Sequence, residues 1–352
     1  MKITSRGSST TLFVVLAVGA LASCARMPPD LELSGPTQGT TYTVKIAAPP
    51  AGTDTSAVRV AVEDVLARVD REMSGYRNDS ELSQFNQSSS TDWIPVSDET
   101  AKVVATALEV AEASDGALDI TIAPLVNLWG MGPAGPPAKM PSEDDVKLAM
   151  ARTGYHKLHV RQQPAALRKD QPDLAIDLNA IAQGYTSDLV GERLAALGFK
   201  NFMVDIGGEV RARGRNANGD PWRIAVERPV DTEPTPYAIL QLADMAVTTA
   251  GEYRHYFVRD GHRYSHTIDP RTGHTMDHDL AAVVVVSTTG IDADAWDTAL
   301  NVLGSKAGYE LAVKRDMAVL FIVHEGTNMR PLMTPRFKQY IAVAPEEIGK
   351  RE

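Results

Sequence analysis

The sequence comprises 352 residues, of which 43% are hydrophobic, 23% are charged and 6% are aromatic. This composition is typical of a globular protein and excludes a disordered polymer or a coiled coil, while a single cysteine excludes a disulfide scaffold. The formal net charge is −10 at pH 7. We therefore expect no nucleic-acid partner, because affinity for nucleic acid comes mainly from neutralised phosphates.

The N-terminal residues predict export and a lipid anchor. Residues 1–23 combine a basic start with an apolar run at 11–22, shorter than the ~20 residues that a membrane-spanning helix needs, and so read as a signal peptide. The run ends at Cys24 in a sequence that resembles a bacterial lipoprotein box; the alternative is a cysteine without a role. We expect anchoring to a lipid bilayer through acylated Cys24, on the periplasmic side of the bacterial envelope with the inner membrane favoured, and residues 24–37 as a tether.

Hydrophobic periodicity and turn residues predict the elements that follow the tether. In chain order these are a strand at 40–47, a helix at 55–73, a polar stretch at 75–90, a helix at 99–113, a loop at 130–142, a helix beginning at Ser142-x-x-Asp145, a strand at 173–178, a helix at 180–197, and strands at 201–206, 222–227, 237–242, about 253–258 and 280–287. A helix from Asp292 to about Leu303, ending at Gly304, precedes a last strand at 317–323. Helices and strands mix without strict alternation, which predicts an α+β (mixed α/β) fold.

Two carboxylates and a hydroxyl share one face of the predicted helix that begins at Asp292. Asp294, Asp297 and Thr298 stand at positions i, i+3 and i+4, where side chains converge. Hard oxygen donors of this kind suit Mg²⁺, whose shell is completed by water and substrate phosphate. The alternative is an ordinary helix start, in which Asp292 is the cap and the acids complement the helix dipole.

Two glycine-containing turns are candidates for ligand contact. The segment 177–185 predicts a strand that turns into a helix, whose free N–H groups could receive phosphate oxygens, and Gly184 permits close approach. The alternative there is a plain strand-to-helix turn with Asn179 as its cap. Gly207 and Gly208 likewise permit a close ligand, or simply form a hairpin turn.

Four of the eight histidines lie between residues 255 and 274. A neutral imidazole can accept a proton near neutral pH and activate a hydroxyl nucleophile. His262 and His266 are four residues apart, but the nearby Gly261 and Tyr264 favour a strand, in which such a pair need not share a metal. Without a Cys/His pattern zinc is not expected. For any one histidine the alternative is a half-buried structural residue.

In chain order, the motifs form a characteristic succession: Gly39-Thr-Thr-Tyr42, Gly75-Tyr76-Arg-Asn-Asp-Ser80, Gly116-Ala-Leu-Asp119, Pro124-Leu-Val-Asn-Leu-Trp129-Gly130, Asp177-Leu-Asn-Ala-Ile-Ala-Gln-Gly184-Tyr185, Gly207-Gly208-Glu209, Ser265-His266-Thr-Ile-Asp269-Pro270-x-Thr-Gly273 and Asp294-Ala-Trp-Asp-Thr298. This succession closely resembles the ApbE family, the flavin transferases formerly called thiamine-biosynthesis lipoproteins. The resemblance covers residues 38–345 and leaves 346–352 as a C-terminal tail.

The resemblance implies two closely packed α+β lobes with FAD bound between them. It also implies a Mg²⁺-dependent activity that transfers FMN from FAD, through a phosphoester bond, to a threonine hydroxyl of an acceptor protein and releases AMP. The implied acceptors are membrane-associated redox subunits. Two alternatives are hydrolysis of FAD to FMN and AMP, and a non-catalytic periplasmic flavin-binding lipoprotein.

The resemblance also implies roles for individual residues. His266 is expected to deprotonate the acceptor threonine, with Asp269 a candidate to orient its ring. Mg²⁺ is expected to be bound by Asp294, Asp297, Thr298 and the carbonyl oxygen of Ala180. Contacts with FAD are expected at Gln38, Tyr76, Ala117, Leu118, Asp119, Asp177, Gln183 and Ile268. Gln38 stands where the family often has Met, and Gln183 where it often has Lys or Glu.

Overall fold

A computed structural model describes residues 30–133, 135–137, 139–230, 235–251, 256–259, 262–276, 278–326 and 328–348. The expected signal peptide, Cys24 and the first part of the tether lie outside these ranges, as do residues 349–352. Within the described ranges, no helix combines the length and the apolar character that crossing a bilayer requires.

The described residues form strands and helices with the following bounds. The strands are β1 (Leu31–Thr37), β2 (Thr40–Ile46), β3 (Ile94–Pro95), β4 (Leu158–Gln162), β5 (Ala165–Lys169), β6 (Phe202–Ile206), β7 (Glu209–Arg213), β8 (Trp222–Glu227), β9 (Pro236–Leu242), β10 (Ala246–Gly251), β11 (Tyr256–Arg259), β12 (His262–Ser265), β13 (Leu280–Ser287), β14 (Ala318–Glu325), β15 (Asn328–Met333) and β16 (Ile341–Val343). The helices are α1 (Thr55–Met73), α2 (Glu81–Gln87), α3 (Asp98–Ala113), α4 (Ala123–Leu128), α5 (Glu143–Met150), α6 (Ala182–Ala196), α7 (Gly290–Lys314) and α8 (Pro345–Ile348).

The largest sheet in the described chain runs in the order β1-β2-β6-β7-β10-β13-β14-β15. Its neighbouring strands pair antiparallel. One face packs under helices α1, α3, α6 and α7 in the main apolar core, and the other packs against the small sheet β16-β9-β8. Strands β13 and β14 are apolar on both faces because both faces are covered. The predicted mixed α+β class is confirmed.

A third, smaller apolar cluster lies beside the main core and supports the loop after β12. Leu125 and Trp129 at α4, Val146 on α5 and Ile268 of that loop form it. The indole Nε1 of Trp129 donates to the carbonyl oxygen of Gly273 at 2.7 Å. This cluster therefore holds the segment that follows His266 against the two short helices.

Several predicted elements are confirmed with their bounds. The helix at 55–73 and the strands at 222–227 and 280–287 agree with α1, β8 and β13. The helix predicted to begin after Ser142 is α5, and its capping box is reciprocal: Ser142 Oγ accepts from the Asp145 amide, and the Asp145 carboxylate accepts from the Ser142 amide. Strong periodicity and cap chemistry therefore located these elements correctly.

The fold extends beyond the predicted domain at both ends. Residues 31–37, predicted as part of the tether, form β1 and pair with β2 at one edge of the large sheet. Pro36 obscured this strand, yet an edge strand tolerates proline where its missing N–H would face outward. The opposite edge, β15, carries Pro331. At the other end, α8 continues the fold into the predicted tail, where Ile348 is buried.

The strand predicted at 173–178 is absent, although the chain there is described throughout. Its backbone groups bond to side chains and to one distant carbonyl instead of a neighbouring strand. The Asn86 side chain accepts from the Ile176 amide and donates to the Ile176 carbonyl, each at 2.8 Å. Buried Lys169 donates to the Leu174 carbonyl at 3.0 Å. Asn86 belongs to α2, inside the stretch predicted only as polar.

Helix α7 extends to Lys314, past the helix end predicted at Gly304. Gly304 nevertheless interrupts its geometry, with φ 78° and ψ 177°, a backbone conformation that strongly favours glycine. The helix end predicted at Gly304 is therefore confirmed as a kink, which separates the acidic first half of α7 from its second half.

Candidate metal and flavin site

The first half of α7 carries the two acids expected to bind metal. Thr289 is the N-cap, and its Oγ1 accepts from the amide of Asp292. Asp292 thus lies in the first turn and is not the cap. Asp294 and Asp297 lie deeper in the helix and are only 5% and 2% exposed. The alternative of an ordinary helix start capped by Asp292 is therefore wrong, because Thr289 is the cap and this acidic pair is buried between α7 and its surroundings.

Helices α6 and α7 meet at two glycines. A Cβ on Gly184 would lie 2.2 Å from the carbonyl oxygen of Gly290 and 2.6 Å from Cβ of Asp294. No side chain fits at that separation. The close approach lets the amide of Gly184 donate to Oδ2 of Asp294 at 2.8 Å. The predicted strand-to-helix turn and the predicted acidic helix are therefore parts of one site.

The same contact satisfies a backbone donor at the start of α6. The helical bonds begin with the amide of Tyr185 donating to Ile181 O, and the amide of Gly184, a first-turn donor without a helical partner, bonds to Asp294. In the described chain no donor contacts the carbonyl oxygen of Ala180, so this atom can serve as a ligand. The N-cap is Ile181 and not Asn179, so the alternative of a plain turn capped by Asn179 is wrong.

Few backbone amides at the start of α6 are free to bind a phosphate group. Besides Gly184, the amide of Ala182 donates to the carbonyl of Leu178 at 2.9 Å. The expectation of several free N–H groups is therefore wrong, and within the described chain the amide of Gln183 is the one in the first turn that shows no acceptor. Gln183 itself is half-buried.

Burial and mutual repulsion raise the pKa values of three carboxyls here. Burial raises the pKa of Asp294 to about 7, with the nearby Asp188 adding to the effect. Burial and then the charge of Asp294 raise the pKa of Asp297 well above its usual range, although the hydroxyls of Thr248 and Thr298 oppose this. Burial, followed by the charges of Asp294 and Asp297, does the same for Glu209. A bound cation would relieve this excess of negative charge.

The donor set suits Mg²⁺. It comprises two carboxylates, the half-buried hydroxyl of Thr298 and the unbonded carbonyl of Ala180, all hard oxygen ligands. Across the described ranges, no three His, Cys, Asp or Glu side chains converge as a complete metal cage. Mg²⁺ usually retains several waters and does not require such a cage.

Asp188, which was not predicted, holds the start of α7 in place. Its Oδ1 accepts from the amide of Gly290 at 2.8 Å and its Oδ2 from the amide of Ile291 at 3.0 Å. Arg211 Nε lies 3.4 Å from Oδ1. Asp188 stands four residues after Gly184 on α6, so the two contacts fix the helices at successive turns.

Asp177 and Tyr76, two of the expected FAD contacts, lie within reach of each other's charge. The charge of Asp177 adds to burial in raising the pKa of Tyr76, whose side chain is nevertheless 62% exposed. Asp177 accepts from the amide of Asn179 at 2.8 Å, and its own amide donates to Ile120 O at 2.7 Å. These bonds attach the segment before Ala180 to the turn that follows Asp119.

Both oxygens of the Asp119 carboxylate accept hydrogen bonds from within the protein. Its Oδ1 accepts from the amide and hydroxyl of Thr121, and its Oδ2 accepts from the amide of Tyr155 at 2.9 Å. Ala117 and Leu118 are buried beside it. A contact of this segment with FAD would therefore use its backbone, and the expected contacts at these three residues stay predictions.

Gln38 reaches the same helix from the turn between β1 and β2. Its φ is +46°, and its Nε2 donates to Oγ1 of Thr186 on α6 at 2.9 Å. Its Oε1 is buried without a partner among the described residues. Gln38 thus lies beside the first turns of α6, near Gln183.

His266 follows β12 directly and is exposed. Two residues later, Ile268 is buried against α4 and α5 and pairs with Thr275. Asp269, the candidate to orient the imidazole, binds Arg271 through a two-point ion pair at 2.8 and 2.9 Å, so its orienting role stays a prediction. Arg271 lies beside Gly116, which brings this loop next to the 117–119 segment.

In a comparison with known protein families, the family model described as the ApbE family matches residues 38–321. The chain belongs to the ApbE family. Its relatives include the FAD:protein FMN transferase of Vibrio cholerae, 38% identical over 322 residues that cover 92% of this chain and 96% of the relative. The protein of the same name from Escherichia coli K12 is 37% identical and covers 88% of each chain.

Solved structures of the ApbE family share the fold. The flavin transferase ApbE from Vibrio cholerae matches with a TM-score of 0.82 at 38% identity, over 89% of this chain and 99% of that one. The apo form of flavinyl transferase ApbE from Pseudomonas stutzeri matches with a TM-score of 0.81 at 39% identity, over 90% of this chain and 98% of that one.

Sequence reasoning missed several residues of this ApbE site. The motif at residues 207–209 contains Glu209 but predicts no role for it, and no local pattern connects Thr248 to the acids of α7. The available signals were a charged residue directly after two glycines and a run of hydroxyls in an otherwise apolar strand. Neither pattern indicates by itself which strand lies beneath the acidic helix.

Proposed function

We propose that this chain is a Mg²⁺-dependent FAD:protein FMN transferase, which moves FMN from FAD to a threonine hydroxyl of an acceptor protein and releases AMP. Near full-length similarity to proteins of that name supports the proposal. The observation that carries it is the contact between Gly184 and Asp294. This contact joins the buried acids and the Ala180 carbonyl to the segment that carries the expected FAD contacts Asp177 and Gln183.

The proposed reaction is a phosphoryl transfer. The threonine oxygen forms a bond to the phosphorus of the FMN half of FAD, and the diphosphate P–O bond to AMP breaks. AMP leaves with the bridging oxygen, and the threonine proton passes to His266. Mg²⁺, held by Asp294, Asp297, Thr298 and Ala180 O, would neutralise charge on the diphosphate and on the leaving phosphate.

The exposure of His266 suits an acceptor that is another protein. A threonine hydroxyl is a weak nucleophile at neutral pH, and an imidazole base in reach contributes roughly 10²–10⁴ in rate. The anchored loop after it, with Ile268 buried and Gly273 bonded to Trp129, limits the positions that His266 can adopt. We place the flavin along Tyr76, Gln38 and this loop.

The test uses a His266→Ala variant with a matched His324→Ala control, because His324 is an exposed histidine on β14. Each protein is incubated with FAD, Mg²⁺ and a threonine-bearing acceptor, and mass spectrometry detects FMN on the threonine. We expect His266→Ala to bind FAD but to transfer none, and the control to transfer normally. Unimpaired transfer by His266→Ala would remove His266 as the base.

Release of AMP separates the alternatives. A transferase releases AMP mainly when acceptor is present, whereas an FAD hydrolase releases it equally without acceptor. A flavin-binding lipoprotein without catalysis releases none under either condition. The same assay, with and without acceptor, therefore decides among the three readings.

We further propose that acylated Cys24 anchors the protein to a membrane on the periplasmic side of the envelope, the inner membrane being favoured. The N-terminal sequence supports this. A tethered enzyme would meet membrane-associated redox subunits, the proposed acceptors, in two dimensions. Replacing Cys24→Ala should move the protein from the membrane fraction to the soluble fraction, and an unchanged distribution would contradict the anchor.

A further inference from the structure

Glu209 faces the acidic helix from the sheet below it. Strands β7 and β10 pair Val210 with Val247, and the register continued by one residue puts Glu209 opposite Thr248. Because side chains alternate along a strand, this pair faces the side opposite to Val210 and Val247. Those two valines belong to the core on the far face. Glu209 and Thr248 therefore lie on the face covered by α7.

One oxygen of the Glu209 carboxylate is buried without a structural partner, although the residue as a whole is half-buried. Its Oε2 atom is buried and accepts no hydrogen bond from the described residues. The negative charges of Asp294 and Asp297 both act on it. The backbone amide of Glu209 itself favours the ionised form, but a buried carboxylate oxygen without a counter-ion is unfavourable. A positive charge or ordered water that faces Oε2 would offset this cost.

A second unpartnered group lies on the same helix face. Asn301 is 1% exposed, and neither its Oδ1 nor its Nδ2 has a hydrogen-bond partner among the described residues. It follows Asp297 by one helical turn, so the two side chains share a face. Buried amides are almost always hydrogen-bonded, which indicates that this face of α7 is completed by water.

Glu209 does not complete a direct metal cage, since no three acidic, His or Cys side chains of the described chain converge as one. Mg²⁺ in proteins keeps several of its waters, and carboxylates beyond the direct ligands commonly hold and orient what the metal binds. We propose that Glu209 is a positioning residue that accepts hydrogen bonds from the waters of the bound divalent cation. This inference rests on the proposed function, because it assumes the cation at Asp294 and Asp297.

The test measures Mg²⁺ affinity by isothermal titration calorimetry on the full mature protein. We expect Glu209→Gln to weaken Mg²⁺ binding by about 10- to 100-fold, and Glu209→Asp to retain part of the affinity. The matched control is Glu310→Gln, which removes one negative charge from the exposed second half of α7. Its Mg²⁺ affinity should equal that of the wild type.

Two further measurements separate positioning from a structural role. Without metal, Glu209→Gln should melt at or above the wild-type temperature, because a repulsive buried charge is gone. In the transfer assay, the Mg²⁺ concentration for half-maximal rate should rise by the same factor as the dissociation constant, while kcat at saturating Mg²⁺ returns near the wild-type value. Loss of affinity accompanied by a lower melting temperature would overturn the inference, as would unchanged affinity.

Comparison with Asp297→Asn keeps the two proposals distinct. If Asp297→Asn loses Mg²⁺ binding while Glu209→Gln binds Mg²⁺ normally, the result supports the proposed metal centre and contradicts the proposed role of Glu209. If wild type and Asp297→Asn bind Mg²⁺ equally, the result contradicts both the proposed metal centre and the proposed role of Glu209.

Discussion

The amide of Gly184 and the carboxylate of Asp294, 110 residues apart in sequence, are joined by a 2.8 Å hydrogen bond. One bond links a turn with an unbonded carbonyl to a helix with buried acids. It exists only because the facing positions on α6 and α7 are both glycine.

Replacing Gly184→Ala should therefore disturb both stability and metal binding. Its Cβ would lie 2.2 Å from the backbone oxygen of Gly290, which cannot move without separating the helices. We expect a loss of about 1–3 kcal/mol in the free energy of unfolding and weaker Mg²⁺ binding. Denaturant unfolding measures the first and calorimetry the second. The control is Gly191→Ala, where the nearest atom, 3.3 Å away, belongs to the side chain of Phe202; a loss as large there would contradict the argument.

Replacing Asp297→Asn should weaken Mg²⁺ binding without lowering the stability of the metal-free protein. Burial and the charge of Asp294 raise the pKa of Asp297, so its ionised form is unfavourable without a cation. We expect the metal-free variant to melt no lower than wild type at pH 8. We also expect it to lose the stabilisation that Mg²⁺ provides, which is about 2.7 kcal/mol at a hundred times the dissociation constant. Thermal melts with EDTA and with Mg²⁺ measure both; a Mg²⁺-dependent shift that survives would argue against this ligand.

Glu72 on α1 should make stability depend on pH. Burial and the charges of Glu99 and Glu81 raise its pKa from 4.5 to about 7. A raised carboxyl pKa means that the native protein holds this proton more tightly than the unfolded chain does. The stabilisation is complete below pH 4.5 and is lost as pH rises through 7.

The change that tests this is Glu72→Gln, which keeps the shape of the neutral acid. We expect the variant to be more stable than wild type at pH 8, by about 1–2 kcal/mol, and nearly equal to it at pH 5. Chemical unfolding at both pH values gives the difference. Glu109→Gln, at an exposed position on α3, should show no such change, and a similar gain there would mean that general surface charge is responsible.

Asn86→Ala should loosen the segment that carries Asp177. The Asn86 amide makes two bonds to the backbone of Ile176, and truncation leaves both groups without a partner. We expect a cost of about 1–3 kcal/mol in unfolding free energy and a weaker affinity for FAD by fluorescence titration. Asn218→Ala, at an exposed turn, is the control; unchanged FAD affinity in Asn86→Ala would separate this segment from the flavin.

Sequence reasoning succeeded where local chemistry decides structure. The periodicity of α1 and the cap pair Ser142 and Asp145 depend on residues close in the chain, so their bounds or start were predictable. The motif order also indicated the family, and hence the pairing of the 177–185 turn with the acids around Asp294.

Sequence reasoning failed where residues far apart in the chain determine the local structure. The strand predicted at 173–178 is apolar enough for a sheet, but Asn86 and Lys169 bind its backbone from elsewhere in the chain. The burial of Glu209 beneath α7 depends on strand order, which the local pattern does not contain.

Among the described residues, Pro36 and Pro331 lie in the two outermost strands of the large sheet, and neither has a backbone N–H to offer to a further strand. A second chain that tried to extend the sheet would find gaps in the ladder on either side. Crowding many copies together should therefore not lead to fibre-like assembly through these rims, even with the long run of valines in β13 between them.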